Sequence, residues 1–576
     1  MRIGLIKYQK LTMNNKITTT FFVLFLIVFS SFSQKNTTTT VSNEQQKSTP
    51  TIELLAPNMD AINAEDKLRD KQGKLYRIGI ALFTNLSPEN SGVWTIDQHG
   101  TKTWSLTIKS AGAEALSFIF DHFDLNGKST FKILNKKGEL VHAIVTNEDE
   151  LEDLQQHLAL CFSDELTLML SEPKGTMASS IHLDRVIYNY RSTGNPSAAK
   201  VNESDACEVN VNCSPVGDNW QDEKRGVARI YVVEPAGAGW CSGSLVNNTA
   251  QDCKPYMLTA FHCGENSTTA NFNVWKFYFK YEVTGCINPT SGGTLGSNVI
   301  TGSVKKADAN DGGGNSGSDF LLVQMGTANN EATTINKLKT TGFNAYWNGW
   351  DANNTATTGG VGIHHPAGDI KKISTFNGTT ISSTYGGQVS GTHWRLTWSS
   401  NSNGFGVTEG GSSGSPIFNN STGRIIGTLT GGSSYCNAQT SPDLYGKMSF
   451  HWTSNGTEAI YQLKPFLDPT NSGLMVLNGS GNPCSPASID ENEVSKFAYT
   501  SIYPNPFTAE FTIDLTSIET ENITLTVSDF SGKIVQTTAT KTGQQVIVDL
   551  THLAQGVYQV KLTTDSAQLT KLVVKK

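Results

Sequence analysis

Short runs of apolar residues that alternate with polar ones fill most of the first 200 positions. A period of two residues is typical of half-buried strands, and turn signals such as Asn126-Gly127 and Lys137-Gly138 separate several of the runs. The runs are Tyr76–Ile80, Trp104–Ile108, Leu116–Phe120, Phe131–Leu134 and Leu140–Val145. The pattern predicts a β-sandwich with no cluster of catalytic residue types. A carbohydrate-binding module is an alternative that no sequence feature selects.

A second β-rich stretch follows, in which glycine, asparagine and serine loops link short apolar runs. The runs are Ile230–Val233, Trp275–Tyr281, Asp319–Val323 and Arg424–Leu429. Many short strands separated by such loops indicate a pair of β-barrels. Near the end, Thr457–Leu463 has helical apolar spacing behind a capping threonine, which predicts a terminal helix.

The last part of the chain alternates apolar and polar residues regularly, after a linker-like stretch at residues 480–498 that is rich in Gly, Pro, Ser and acidic residues. Its segments are Tyr503–Phe507, Phe511–Leu515, Ile523–Val527, Gly532–Val535, Val546–Leu550, Gly556–Val560 and Leu569–Lys576. They predict a small β-sandwich.

Residues 1–34 have the pattern of a secretory signal peptide. Lys16 precedes the apolar stretch Thr20–Phe29, which is too short to span a bilayer comfortably, and a small polar run follows it. A retained membrane anchor is the alternative. Met13 would open a more ordinary signal sequence than Met1 does.

Composition narrows the class of protein further. The net charge of −7 from 44 basic and 51 acidic residues, with no long basic stretch, argues against nucleic-acid binding. Charged residues make up 16% of the chain and there are 53 glycines, which suits an all-β extracellular protein.

The candidate nucleophile lies in a run of small residues, Thr408–Phe418. Glycines let the backbone turn sharply and let a substrate carbonyl approach, and Ser413 can attack an acyl carbon. The backbone N–H groups of Gly411 and Ser413 would receive the oxyanion. Glycine-serine runs are commonly plain loops, so this prediction depends on partners elsewhere in the chain.

Two apolar segments supply those partners. His262 ends the run that starts at Tyr256, and Asp319 precedes the run that ends at Val323. The order His, Asp, Ser is that of the double-barrel serine proteases. The α/β-hydrolases run Ser, acid, His and need Gly-x-Ser-x-Gly, in which Ser415 would replace the last glycine.

Six motifs in one order resemble the lysyl endopeptidases, a bacterial branch of the chymotrypsin-like serine proteases. They are Cys241–Asn248, Tyr256–Cys263, Ser318–Phe320, Ile363–Pro366, Gly406–Pro416 and Asp443–Gly446. The resemblance implies an all-β fold, with a double β-barrel protease domain at residues 201–479 behind a β-rich pro-region at residues 35–200. It also implies a secreted endopeptidase that needs no cofactor and cleaves protein or peptide substrates after lysine. A catalytically silent barrel that binds a surface is the alternative.

The pairing of the cysteines follows from this resemblance and not from spacing. Eight of the nine lie between Cys207 and Cys484, which in an exported protein indicates disulfides. The resemblance implies the pairs Cys207–Cys436, Cys213–Cys286 and Cys241–Cys263, and leaves Cys253 and Cys484 as a further candidate pair. We expect Cys161 to be a buried thiol. Zinc is disfavoured because no Cys-x-x-Cys occurs, and no metal is expected at His364 and His365, which would point to opposite faces of a strand.

The same resemblance suggests how the substrate is chosen. Asp443 matches the position at which lysyl endopeptidases place an acid to pair with the ammonium of a P1 lysine. By local register, Tyr385 and Thr430 take the places of the tryptophan and histidine that flank this pocket in the family. That departure leaves arginine open as a second P1 residue.

The C-terminal segments, residues 499–576, resemble the sorting domain of type IX secretion cargo. The resemblance implies the type IX machinery as a partner and an extracellular or cell-surface location reached through the periplasm, with no transmembrane segment in the mature form. A sandwich that merely binds a surface is the alternative.

A lysine-directed enzyme could also process itself. Lys200 lies just upstream of the protease region in a polar segment of small residues, which is the kind of segment that proteases reach. Cleavage there would free the α-amino group of Val201, and Cys207 would still tie the new terminus to the barrel.

Overall fold

Strands dominate a computed structural model of the chain, which describes residues 48–145, 157–194, 203–289, 298–327, 329–387, 389–484, 501–515, 524–529, 533–536, 540–542, 545–563 and 568–576. The predicted signal peptide, the cleavage site at Lys200 and Val201, and most of the predicted linker lie outside the described residues. None of the described helices is long and apolar enough to cross a membrane. The predicted fold class, an all-β protein built around a double-barrel protease domain, is confirmed.

The N-terminal region packs strands around one apolar core that contains Trp104, Phe118 and Phe131. Its elements are β1 Thr51–Glu53, α1 Met59–Lys71, β2 Tyr76–Leu86, β3 Val93–Ile96, β4 Lys102–Lys109, β5 Ala115–Asp124, β6 Thr130–Asn135, β7 Leu140–Val145, β8 His157–Cys161, β9 Glu165–Glu172 and β10 Ser180–Asn189. The sheet β1-β4-β9-β6-β7, with β3 beside β4, forms one layer. Burial in β9 alternates strictly along the strand, as the period-two pattern predicts.

The first half of the protease region shares a sheet with the N-terminal region. Its elements are β11 Val227–Glu234, β12 Gly237–Leu245, β13 Tyr256–Thr259, α2 Phe261–Gly264, α3 Thr269–Phe272, β14 Lys276–Phe279, β15 Asn298–Thr301, β16 Ser303–Asp308, β17 Leu321–Met325 and α4 Glu331–Lys339. The strand order is β15-β14-β11-β12-β2-β10-β5-β8, and β13 and β17 continue the sheet from β12.

The join between the two regions is the antiparallel pair of β2 and β12, in which Tyr76 lies opposite Trp240 and Ile80 opposite Gly237. Small residues make it possible, since a Cβ on Gly237 would lie 2.0 Å from the carbonyl oxygen of Gly79. The N-terminal region therefore docks through backbone pairing and not only through side chains.

The second half of the protease region forms the other barrel. Its elements are β18 Trp350–Asp351, β19 Gly360–His364, β20 Lys372–Phe376, β21 Ile381–Ser383, β22 His393–Thr397, β23 Pro416–Asn419, β24 Ile425–Gly432, β25 Pro442–Lys447, α5 Met448–Thr453, α6 Lys464–Leu467 and β26 Val476–Leu477. The order β20-β19-β23-β24-β25-β22-β21 places β24 and β25 at its centre. One apolar core, which includes Leu258, Phe320, Ile373 and Phe418, joins the two halves beneath the cleft.

The predicted helix at Thr457–Leu463 is wrong. Only a 3₁₀ turn, Ala459–Tyr461, lies there, and the helical turns fall before and after it in α5 and α6. Ala459, Ile460 and Tyr461 are exposed or half-buried, so no core packs against them to stabilise a longer helix.

Four disulfides cross-link the protease region: Cys207–Cys436, Cys213–Cys286, Cys241–Cys263 and Cys253–Cys484. The first ties the segment that leads out of the N-terminal region to the loop after β24. Cys161 is a buried thiol whose pKa burial raises to about 12.

The C-terminal module contains two antiparallel sheets, β27-β28-β32-β31 and β30-β29-β33-β34. Its strands are β27 Ser501–Tyr503, β28 Glu510–Asp514, β29 Thr524–Asp529, β30 Ile534–Gln536, β31 Thr540–Thr542, β32 Gln545–Asp549, β33 Gly556–Thr563 and β34 Gln568–Lys575. A core of its own, with Phe511, Val548 and Val560, fills the sandwich.

Candidate active site

The imidazole of His262 is placed by the short helix α2, which starts directly after strand β13. The disulfide between Cys263 and Cys241 fixes this turn to strand β12. His262 is buried, with 3% of its surface exposed, so its ring cannot reorient freely.

Asp319 receives two hydrogen bonds from that histidine. Its Oδ2 lies 2.8 Å from Nδ1 of His262, and its Oδ1 accepts the backbone N–H of His262 at 3.0 Å. The acid is itself completely buried, directly before strand β17. The arrangement orients the imidazole so that Nδ1 faces the acid, and Nε2 has no hydrogen-bond partner among the described residues.

The charge of Asp319 also sets the proton affinity of the imidazole. Burial disfavours the imidazolium, but the attraction of the Asp319 charge and the hydrogen bond that Asp319 accepts outweigh burial, so the pKa of His262 is raised above its usual 6.5. This base therefore becomes neutral at a higher pH than an ordinary histidine does.

Ser413 lies in a loop whose glycines are required by close packing. Gly411 and Gly414 have φ of 94° and 79°, and a Cβ on Gly414 would lie 2.1 Å from Thr259 Oγ1. The carbonyl oxygen of Ser413 accepts the N–H of Ser242 at 2.8 Å. The loop is thereby pressed against the strand that leads to His262. No hydrogen bond joins Ser413 Oγ to Nε2 of His262, although both residues are described.

The backbone amides of this loop divide into two sets. Ser412 and Gly414 donate to the carbonyl oxygens of Glu409 and Leu429 at 3.0 and 2.8 Å. The N–H groups of Gly411 and Ser413 have no acceptor among the described residues. These two amides are therefore available to an oxyanion.

The serines beside Ser413 are buried supports. Ser412 Oγ lies 2.8 Å from Nδ1 of His364, whose pKa burial lowers to about 3, so this histidine is neutral. His365 is also buried and holds the carbonyl oxygen of Asp369 through Nδ1 at 2.9 Å. The two adjacent histidines contact different partners. Two clusters of possible metal ligands combine cysteine sulfur with a histidine or with carboxylates. Their cysteines are in disulfides and therefore offer no thiolate to a metal.

Asp443 lies at the centre of the second barrel, opposite Gly432 on β24. Its Oδ2 accepts hydrogen bonds from Trp398 Nε1 at 2.6 Å, Thr408 Oγ1 at 2.7 Å and Ser434 Oγ at 2.6 Å. Burial raises its pKa, and these donors oppose that by favouring the carboxylate. A Cβ on Gly432 would lie 2.0 Å from Asp443 Oδ1, so only glycine leaves room for the acid there.

The cavity beside Ser413 lies above this acid. Its lining includes Ser413, Thr408, Ser434, Tyr385 and Thr430. Asp443 lies directly behind Thr408 and Ser434, which both donate hydrogen bonds to it. Both residues predicted to flank the pocket are therefore in its wall.

His393 was missed by the sequence analysis, although it supports both flanking residues. Its Nε2 lies 2.9 Å from Thr430 Oγ1, and its ring centre lies 5.6 Å from that of Tyr385. Burial lowers its pKa to about 4, so it is neutral at neutral pH. No motif marked His393, because its role depends on the pairing of β22 with β25.

Residues from the N-terminal region also line the cavity. Asp70, Lys71, Gly73 and Lys74, at the end of α1 and in the turn after it, face the same space as Ser413. Lys74 Nζ lies 3.4 Å from Glu265 Oε1.

The next residues of this turn pack on the loop that carries Ser413. A Cβ on Gly410 would lie 2.3 Å from Cδ2 of Tyr76, and Leu75 is buried in the core of the first barrel. Residues 70–76 therefore cover the cleft, and we call them the covering segment.

Comparisons with known proteins relate two regions of the chain to known families. Residues 201–446 match the family described as lysyl endopeptidase, C-terminal domain, and residues 501–576 match the secretion system C-terminal sorting domain. A lysyl endopeptidase from Pseudomonas aeruginosa is 26% identical over 425 residues, which cover 68% of this chain and 83% of that protein.

Two solved proteases match a smaller part of the chain. The protease Anisep from Arthrobacter nicotinovorans is 18% identical and covers 40% of this chain and 92% of its own, with a TM-score of 0.27. The thermostable serine protease AL20 from an extremophilic microorganism is 14% identical and covers 39% and 93%, with a TM-score of 0.28.

The C-terminal match has a consequence for location. A secretion sorting domain indicates a secreted or cell-surface protein. The chain is therefore a serine endopeptidase whose residues 201–446 match the lysyl endopeptidase C-terminal domain and which carries a C-terminal secretion sorting domain.

Proposed function

We propose that this protein hydrolyses peptide bonds after lysine, with Ser413 as nucleophile, His262 as general base and Asp319 as the acid that orients the base. The supporting observation is that Asp319 accepts both hydrogen bonds from His262, while Nε2 of His262 has no partner among the described residues. Neutral His262 accepts the proton of Ser413 Oγ as the oxygen attacks the carbonyl carbon, and returns it to the departing amine.

The oxyanion of the tetrahedral intermediate is stabilised by the N–H groups of Gly411 and Ser413. Each donor of this kind contributes about 3 kcal/mol to lowering the barrier in comparable proteases. The resulting acyl-enzyme is hydrolysed by water in a second step that uses the same groups.

Specificity for lysine rests on Asp443. A P1 side chain that enters the cavity first meets the hydroxyl groups of Thr408 and Ser434, which both donate to Asp443. A P1 ammonium can take over as donor to the carboxylate, because it carries three N–H bonds and one positive charge. Arginine is the second P1 candidate, since its guanidinium is also a cationic donor. Tyr385 and Thr430 form the walls.

The covering segment makes the full-length chain a zymogen. It lines the cavity that a substrate must enter, and the pairing of β2 with β12 anchors it there. Cleavage at Lys200 would free Val201 and cut the covalent link between the N-terminal region and the protease domain at residues 201–479. The C-terminal module, reached through the linker at residues 480–498, would direct the protein to the type IX secretion machinery.

The first test removes the nucleophile. We expect Ser413→Ala to lower kcat for a lysine ester or peptide on the order of a millionfold, because only the attacking oxygen is lost. Ser421→Ala, in an exposed turn of the same barrel, is the matched control and should keep full activity. Near-normal turnover by Ser413→Ala would show that the nucleophile is another residue.

The second test removes the pocket charge without changing its size. Asp443→Asn should cost about 2–5 kcal/mol in kcat/KM for cleavage after lysine, because a cationic side chain would then be buried without an anion. Cleavage after neutral residues should change far less. A peptide library that shows an unaltered lysine preference in Asp443→Asn would exclude this residue as the determinant.

The third test concerns maturation. N-terminal sequencing of the secreted protein should give a start at Val201 in the wild type and the uncleaved precursor in Ser413→Ala, because the enzyme itself cuts after Lys200. Lys200→Gln should also accumulate precursor. A start far from Val201, or the same processing in Ser413→Ala as in the wild type, would refute self-activation at this site.

A further inference from the structure

Asp311 is a buried acid at the start of the loop that connects β16 to β17. Its Oδ2 accepts the backbone N–H of Asp319 at 2.6 Å, and its Oδ1 accepts the N–H of Gly314 at 3.0 Å. Its carbonyl oxygen accepts the N–H groups of Asn315 and Ser316 at 3.1 and 3.3 Å. One residue therefore holds four amides of the loop that ends in the catalytic acid.

The backbone of Asp319 needs such support. Its φ is 58°, in the left-handed region that a residue with a Cβ seldom adopts. Conformations of this kind are strained and persist where surrounding contacts enforce them. The short bond to Asp311 is a contact of this kind, made at the residue that carries the strain.

The same loop lies between the catalytic imidazole and the specificity pocket. A Cβ on Gly313 would lie 3.3 Å from Cβ of His262. A Cβ on Gly314 would lie 3.1 Å from Thr430 Cγ2 and 3.2 Å from Tyr385 Cδ1. A shift of this loop would therefore move the acid, and would change the wall of the pocket as well.

We propose that Asp311 is a positioning residue for catalysis, whose ionised carboxylate holds Asp319 against His262 and fixes the loop of residues 312–315 beside the pocket. The proposal rests on the triad assigned above. Asp311 does not touch the reacting atoms, and it acts through Asp319.

A carboxylate in this position gives the enzyme a second ionisation that matters for activity. Burial and, next, the negative charge of Asp319 raise the pKa of Asp311 to about 6, while its two amide donors and the charge of His262 lower it. Asp319 and His262 are the titratable side chains that act on Asp311 among the described residues. His393 and Tyr385 interact electrostatically with Asp319.

The sign of the effect follows from the hydrogen bonds. Below about pH 6 the Asp311 carboxyl is protonated, and a neutral carboxyl accepts amide N–H groups more weakly than a carboxylate does, so the hold on the loop weakens. Because the folded protein binds this proton more tightly than the unfolded chain does, the protonated form contributes folding stability that is complete below the usual pKa of 3.8 and is lost as the pH rises through about 6. The ionised form of Asp311 therefore favours catalysis, whereas the protonated form favours folding stability.

The test is the pH dependence of kcat/KM for a lysine peptide in the mature wild-type enzyme, Asp311→Asn and Asp308→Asn. The wild type should lose activity on the acid side with a slope of log kcat/KM that approaches 2 below pH 6, since both His262 and Asp311 take up a proton. Asp311→Asn should have a slope of 1 and a kcat/KM at pH 8 that is roughly tenfold to a hundredfold lower, the size expected for a small misplacement of catalytic groups.

Asp308→Asn is the matched control, since Asp308 is also buried in this stretch but pairs with Lys305 at 2.9 Å. It should keep the wild-type slope. A wild-type slope of 1 down to pH 5 would overturn the proposal even if Asp311→Asn failed to fold. An equal loss at every pH in Asp311→Asn, with the slope unchanged, would also overturn it by showing a purely structural role. Neither outcome would affect the triad, which the Ser413→Ala measurement decides separately.

Discussion

The buried pair of Asp319 and His262 is the interaction on which the rest of this site depends. Removing a carboxylate from water is costly, and the cost is tolerated only when hydrogen bonds and an opposite charge compensate it. Here the two bonds from His262 and the positive charge that its imidazole can acquire provide that compensation. The pair therefore requires rigid surroundings, because a small displacement would leave a buried charge without partners.

The surroundings supply that rigidity from three directions. The disulfide between Cys241 and Cys263 fixes the turn that carries the imidazole, and the loop anchored by Asp311 fixes the acid. The nucleophile loop fits against β13 only because Gly414 has no side chain. The N-terminal region adds a further layer, since β2 extends the sheet of the first barrel and places the covering segment across the cleft. The same sheet therefore supports the site and holds the covering segment that obstructs it.

The sequence predicted the parts of the site that are encoded locally. Ser413, His262 and Asp319 each lie in a short motif, and the order of the motifs restricts the fold, so the double barrel could be predicted from them. The predictions for Asp443, Tyr385 and Thr430 depended on resemblance, and the structure places all three at or behind one cavity.

What the sequence did not predict depends on contacts between distant segments. The contacts of Trp398 and His393 depend on the register of β22 against β25, which the sequence does not reveal. Asp311 resembles any other acid in a glycine-rich loop until its distance to the N–H of Asp319 is known. The helix predicted at Thr457–Leu463 does not form, because no core packs against its apolar residues.

The central claim is that Asp319 and His262 activate Ser413. Incubating the mature protein with a serine-directed fluorophosphonate, followed by peptide mapping, tests it most directly, because such reagents modify only a serine whose proton an adjacent base accepts. The account predicts one label per molecule, on Ser413, whose rate of formation falls as the pH drops and His262 becomes protonated. An unlabelled protein, or a label on another serine, would contradict it.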